Sequence, residues 1–269
     1  MHSVVRQPAV AGSFYPGDPK RIAAELDRLM PPRPSAPARA VVVPHAGWMY
    51  SGGVAGETYA QVEVPPLAIL LGPNHTGLGA PGAVMMEGAW HSPAGIVPIA
   101  GNLATALLAE ASELQADTMA HLREHALEVQ LPFLHRRQPA LQIVPITLGQ
   151  TDPAFCRAIG EALGRVVAGW PEPVLVVDST DLNHYESQTV SNRKDRLAID
   201  AILALDPDGL WRAARQHDIS MCGIAPTQAL LWAAPALGIL AARLVRYATS
   251  GDVSGDLARV VGYAGLILE

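Results

Sequence analysis

The chain has 269 residues, 49% of them apolar and only 16% charged, with a formal net charge of −6 at pH 7. That length and composition describe a globular protein with a large aliphatic core. An acidic balance without a basic tract excludes nucleic acid and anionic membrane surfaces as main partners. Two cysteines, Cys156 and Cys222, make no disulfide framework, so a reducing cytoplasm is the expected compartment. The opening Met-His-Ser-Val-Val-Arg-Gln lacks the basic and apolar regions of a signal peptide, and no apolar run reaches membrane-spanning length.

In chain order, Ala11–Pro19 is a turn-rich loop, and Pro19–Met30 carries Ile22, Leu26 and Leu29 on one helical stripe. Pro31–Pro37 is a proline-rich connector. Ala40–Val43 reads as a buried strand stopped by Pro44, with His45 just past its end and glycines easing the turn into a helix over Val54–Val62. Leu67–Leu71 is a second buried strand, running into Gly72-Pro-Asn-His75. Ala83–Met86 and Gly95–Ile99 are shorter strands, and Asn102–Ala111 a helix. His121–Arg136 reads mostly as helix, with Leu127, Leu131 and Leu134 near helical spacing despite Pro132. Then come a strand (Leu141–Leu148), a helix (Pro153–Ala168) and a third apolar strand (Pro173–Val177) leading into Asp178-Ser-Thr-Asp181-Leu-Asn-His184. Helices over Arg193–Leu205, Asp208–His217 and Pro226–Ala234 precede closing strands at Leu240–Tyr247 and Ala258–Leu268. Strands alternating with helices predict a single α/β domain around a central, largely parallel sheet flanked by helices.

In open parallel sheets, ligands bind outside the carboxyl ends of the strands. Three strands deliver His45, His75 and the Asp181/His184 pair to such ends, so in one parallel sheet they open onto a common edge. Two imidazoles with a carboxylate bind a divalent transition metal and leave positions free; this is the ligand set of non-haem iron(II), and zinc takes similar sets. A further histidine beside an open position can act as acid or base.

A separate motif points elsewhere. His121-Leu-Arg-Glu124-His125 matches the inverted zinc-peptidase pattern, which places both histidines one helical turn apart with the glutamate as base. The plainer reading puts Glu124, Glu128 and Arg136 on the polar side of a helix, and a middle reading keeps only His125, as a group that supports the site or faces substrate. Cys222, before Gly223, reads as a buried small residue rather than a reactive thiol, because no neighbouring Lys or Arg lowers its pKa. No phosphate loop or serine-hydrolase elbow is present, and Trp48 is the one tryptophan placed to line a pocket.

Seven ordered blocks, Pro8–Pro16, Pro44–Gly52, Leu71–His75, Glu124–Pro132, Ser179–His184, Cys222–Pro226 and Tyr247–Asp252, together resemble the Memo family over essentially the whole chain. The resemblance implies a fold similar to that of class III extradiol dioxygenases. It also implies that His45 and His75 match two metal-binding histidines, and that Asp181 and His184 match an aspartate and an acid/base histidine. Animal members supply a further cysteine ligand where this chain reads Gly251-Asp252-Val253. That departure weakens a copper(I) reading, leaves Asp252 or Asp181 as the acidic ligand, and favours iron(II), with copper or zinc as alternatives. The implied function is a dioxygenase-like, iron-dependent oxidoreductase acting on a small molecule or peptide. The alternatives are a non-enzymatic peptide- or metal-binding assembly protein and, third, the zinc peptidase. Family context also implies Ammecr-type and radical-SAM proteins as partners.

Overall fold

The computed structural model describes residues 4–269. Met1-His2-Ser3, the start of the segment read above for a signal, lie outside the described residues. Four strands of buried aliphatic residues form the parallel heart of the sheet: β1 (Ala40–Val43), β2 (Leu67–Pro73), β4 (Gln142–Leu148) and β5 (Val174–Ser179). Their order is β1-β5-β2-β4, with Ser179 beside Val43 and Asp178 beside Leu71. Both faces are covered, which is why these strands read as continuous apolar runs rather than alternating ones.

Apart from Gln115–Ala116, which pairs in parallel at one outer edge, the margins are antiparallel. β3 (Gly82–Val84) pairs with β4, and β8 (Val260–Leu268) pairs by its end with β1, by its start with β6 (His184–Glu186) and along its length with β7 (Ala242–Thr249). A separate three-stranded sheet joins Val5–Arg6, Ala89–Ser92 and Gly95–Pro98.

One face packs against α3 (Gly101–Glu110), α5 (Pro153–Ala168), α6 (Gln188–Leu203), α7 (Pro207–Gln216) and α8 (Ile224–Leu237), through residues such as Leu103, Leu163, Ile199, Leu210 and Leu230. The other packs against α1 (Pro19–Leu29), α2 (Trp48–Ala60) and α4 (Leu131–Arg137), through Ile22, Trp48, Tyr59 and Phe133. Among the described residues no helix is long and apolar enough to cross a membrane.

Two departures from the sequence reading bear on the site. The helix expected over His121–Arg136 begins only at Leu131; before it lie 3-10 turns at Met119–His121 and Glu128–Gln130 with a loop between them. The loop persists because the Glu124 carboxylate accepts from the backbone N–H groups of His125 and Ala126, each at 2.9 Å, and Pro132 suits only a first helical turn. Conversely, α2 starts at Trp48, six residues before the expected Val54. Trp48 N–H donates to Phe14 O at 2.7 Å and Ser51 Oγ donates to Ala46 O at 2.8 Å, so the turn after His45 feeds straight into helix.

A candidate metal centre at the sheet edge

Because β1, β5 and β2 are parallel neighbours, the residues that follow them emerge side by side. His45 follows β1, Asp181 follows β5, and His75 follows β2. The loop before α4 crosses this edge and adds His125. It packs down on β2 at Gly72, where a Cβ would lie 2.7 Å from Leu127 Cδ2 and push that side chain aside. The ligating atoms of His45, His75 and His125 lie within 4.8 Å of one another. The His75 and His125 rings stack at 4.7 Å, and His45 stands edge-on to both, at 5.2 and 5.4 Å.

Hydrogen bonding determines which nitrogen each ring presents. Ser179 Oγ donates to Ala126 O at 2.7 Å and accepts from Gln130 Nε2 at 2.9 Å. Its proton is therefore committed, and at 3.0 Å from His45 Nδ1 it can only accept, so Nδ1 carries the hydrogen and Nε2 keeps its lone pair. His75 Nδ1 lies 2.9 Å from Glu124 Oε1, and His125 Nδ1 lies 3.4 Å from the same oxygen. His184 Nδ1–H donates to Ser220 O at 2.8 Å. Each ring thus keeps Nδ1 beside an acceptor, while Nε2 of His45 lies 3.3 Å from Cys222 Sγ. Metal-binding histidines are oriented by this same arrangement of outer acceptors.

Electrostatics agree with that assignment. Burial, then the charge of His75, pushes the His45 pKa down to about 3; burial, then the charge of His45, pushes His125 down to about 4. Both are neutral donors at neutral pH, as metal binding requires. Burial also disfavours the imidazolium of His75, but the hydrogen bond and charge of Glu124 outweigh it and the His75 pKa is raised. Burial would raise Glu124, yet its bond to His75, the His75 charge and the Ala126 N–H bring it down to about 2, so it is a fixed anion. Asp181 accepts from His45 N–H at 2.8 Å and places Oδ2 4.0 Å from His45 Nε2. Burial raises its pKa despite that bond.

The remaining expected residues fall differently. Asp252 is spent on local structure: its carboxylate accepts from Thr249 N at 2.7 Å and from Gln188 Nε2 at 3.1 Å. Of the two acidic candidates, Asp181 is the one that meets the imidazoles. His121 stands outside the group of three; its ring is edge-on to Trp90 at 5.8 Å and neither nitrogen has a hydrogen-bond partner. Without a helix, the turn spacing that the peptidase pattern needs is missing. His184 begins β6, and its charge acts on both His45 and Asp181.

Several residues here carried no clear sequence signal. Ser179 and Gln130 orient His45, and Ser220 orients His184. Cys222 is only half-buried and sits in this site rather than in the core, with Sγ 3.3 Å from His45 Nε2. The Pro8–Pro16 block proves to be a roof. Phe14 lies edge-on to His125 at 4.8 Å, and Glu128 anchors the segment by accepting from Ala9 N, Val10 N, Tyr15 Oη and Arg6 Nη1 at 2.7–3.0 Å.

A parallel sheet that presents clustered imidazoles at one edge defines this molecule as an α/β protein with a candidate metal centre, and its architecture is consistent with a class III extradiol dioxygenase-like fold. The comparison with known proteins narrows the class. Residues 6–267 match the family described as Memo-like protein, and the chain belongs to that family. It is 40% identical to a MEMO1 family protein of Methanopyrus kandleri, covering 98% of this chain and 99% of that one. Similar relatives occur in Aquifex aeolicus, at 40% identity over 98% of both chains, and in Thermotoga maritima, at 39% over 98% and 99%.

Proposed function

We propose that this Memo-family protein holds iron(II) on His45, His75 and His125, with Asp181 as the adjacent carboxylate, and acts as an oxidoreductase on a small chelating substrate. The observation that carries this reading is the convergence of one ligating nitrogen each from His45, His75 and His125 within 4.8 Å of one another, with Nδ1 of His45 and of His75 held by acceptors. The donor chemistry suits the ion: imidazole and carboxylate together are ligands of iron(II), and zinc and copper accept the same nitrogens.

When bound, the ion would supply Lewis-acid polarisation and a one-electron couple. The protein's own residues do the rest. The Glu124 anion balances cationic charge through two rings at once and fixes their tautomers. His184, with Nδ1–H held by Ser220 O, is poised to take a proton at Nε2 from a substrate hydroxyl and return it later. Phe14, edge-on to His125, limits water near that ring.

Elemental analysis of anaerobically purified protein tests the metal. Stoichiometric iron is expected in the native chain and none in His45→Ala/His75→Ala; full retention in that double variant ends the proposal. A second reading, binding without turnover, draws support from exposed apolar side chains beside the site residues, Met49 and Tyr185 among them. Oxygen uptake with catechols and ferrous ion separates the two readings, since tight peptide binding without uptake favours the second. Ammecr-type and radical-SAM proteins are proposed as partners, to be tested by co-purification.

A further inference from the structure

A cavity of about 320 Å³ opens between the end of α7 and the start of α8, and none of the clustered histidines lines it. Its walls include Trp211 and Arg215 of α7, Asp218, Ile219 and Ser220 of the connecting segment, and Ile224, the first residue of α8. We propose that this cavity binds a free α-amino acid with an apolar side chain, and that the ligand acts on His184 through Ser220. Neither step requires a metal on the histidines.

Charge selects a zwitterion. Among the described residues, Arg215 and Asp218 are ion-paired neither with each other nor with another side chain. Arg215 lies over the Trp211 ring at 5.6 Å and makes one long contact, from Nη2 to Thr151 Oγ1 at 3.5 Å. Lys194 Nζ donates to Asp218 O at 2.8 Å rather than to its carboxylate, and is itself paired with Glu186 at 2.7 Å. Asp218 follows the C-cap of α7 with φ +48°. Glycine or asparagine is the ordinary residue there, and the carbonyl end of a helix repels an anion. An ammonium group satisfies both Asp218 and that helix end, while a carboxylate suits Arg215.

Size and lining define the rest of the ligand. The volume stands at the small end of the range for ligand sites, which suits one amino acid and not a nucleotide or a folded peptide. Ile219, Ile224 and the Trp211 ring supply apolar contact. The Trp211 indole N–H is withdrawn from solvent without an acceptor, a deficit that a carboxylate oxygen removes. The link to His184 is direct. Ser220 Oγ accepts from His184 N and Ser220 O accepts from His184 Nδ1, both at 2.8 Å, while Ser220 N and Oγ donate to Asn183 Oδ1 at 3.1 Å. A ligand seated against Asp218 and Ile219 therefore bears on the backbone that holds the His184 ring.

Calorimetry on the full-length protein tests the site with L-leucine and L-phenylalanine as probes. Two leucine analogues dissect the charges: 4-methylpentanoate lacks the ammonium and 3-methylbutylamine lacks the carboxylate. Saturable binding of at least one amino acid is expected with a Kd of about 1 mM or tighter, and about tenfold weaker binding for each leucine analogue. Arg215→Ala and Asp218→Asn should each weaken amino-acid binding about tenfold. Both positions are exposed, and asparagine keeps the left-handed backbone of Asp218. Arg212→Ala removes the same charge from α7 outside the cavity, at a residue paired with Asp206, and should leave affinity unchanged. No saturable heat from either amino acid, an analogue that binds as tightly as leucine, or an equal loss in Arg212→Ala overturns the proposal. Should a variant not fold, the two analogues decide the matter on the native chain. Saturating amino acid should also shift the ring-proton resonances of His184, and binding that leaves them unmoved overturns the coupling through Ser220.

Discussion

Replacing Glu124 by glutamine keeps the shape of the side chain and removes its charge, and that single change tests how the site is organised. Oε1 accepts from His75 Nδ1, His125 N and Ala126 N, each at 2.9 Å, and Oε2 accepts from His75 N at 2.6 Å. A glutamine can turn its oxygen toward the first three donors. Its amide nitrogen then faces the His75 N–H, so one charge-assisted bond becomes a contact between two donors. Bonds of that kind contribute about 1.5–3 kcal/mol each, and an unsatisfied buried group costs a similar amount. We expect Glu124→Gln to lose about 2–4 kcal/mol of folding stability by urea denaturation.

Metal affinity should fall about 10–100-fold, as for other partners that orient ligating histidines, which is ~1.4–2.7 kcal/mol. The pH profile carries a further sign. Glu124 raises the His75 pKa, so in the native chain protons compete with metal at His75 as pH falls through that raised value. Without the carboxylate this competition should begin at lower pH, so the deficit of the variant is largest in mild alkali and shrinks toward acid. Competition between protein and a chromophoric chelator at two pH values measures both effects. A folded Glu124→Gln protein that binds cobalt within about twofold of native at both pH values would refute the argument.

Three further outcomes follow from the packing. Gly56→Ala should destabilise by more than about 2 kcal/mol in thermal or urea unfolding: the new Cβ would stand 2.2 Å from Leu29 O, a backbone atom that cannot yield, against a helix-propensity gain of only about 1 kcal/mol. Arg6→Met should cost about 3 kcal/mol or more, because it strands the fully buried Glu128 carboxylate and with it the roof over His125; a loss below about 1 kcal/mol would mean that the backbone N–H groups alone hold that charge. His121 is pushed down to about 4 by burial and then by the charge of Arg6, from an ordinary 6.5. The unfolded chain therefore takes its proton first, so the stability it lends is complete above about pH 6.5 and lost as pH falls toward 4; His121→Leu should flatten that limb by up to about 3 kcal/mol, and an unchanged pH dependence would disprove the assignment.

How much of this was written locally in the sequence depends on the range over which each feature is determined. β1, β2 and β5 were legible because a strand buried on both faces needs an uninterrupted aliphatic run, and a parallel arrangement then carries His45, His75 and Asp181 to one edge by necessity. The stretch before α4 was not legible, because Leu127, Leu131 and Leu134 satisfy helical spacing while the backbone between them is captured by a side chain. Periodicity reports which residues are buried; it says nothing about a carboxylate that takes the N–H groups a helix would use. The same limit explains the two acidic candidates. Asp181 and Asp252 each lie in a polar loop after an apolar strand, and only folding reveals that Asp252 is engaged by Gln188, 64 residues distant, while Asp181 turns to His45, 136 residues away. Cys222 is the extreme case. Its neighbours in sequence are unremarkable, so it reads as core filler, whereas in the fold its sulfur lies 3.3 Å from the ring of His45, 177 positions earlier. Residues with the least local signal are thus the ones whose placement depends most on the sheet order β1-β5-β2, and a perturbation that slid β5 relative to β1 would part Asp181 from His45 while leaving each local motif intact.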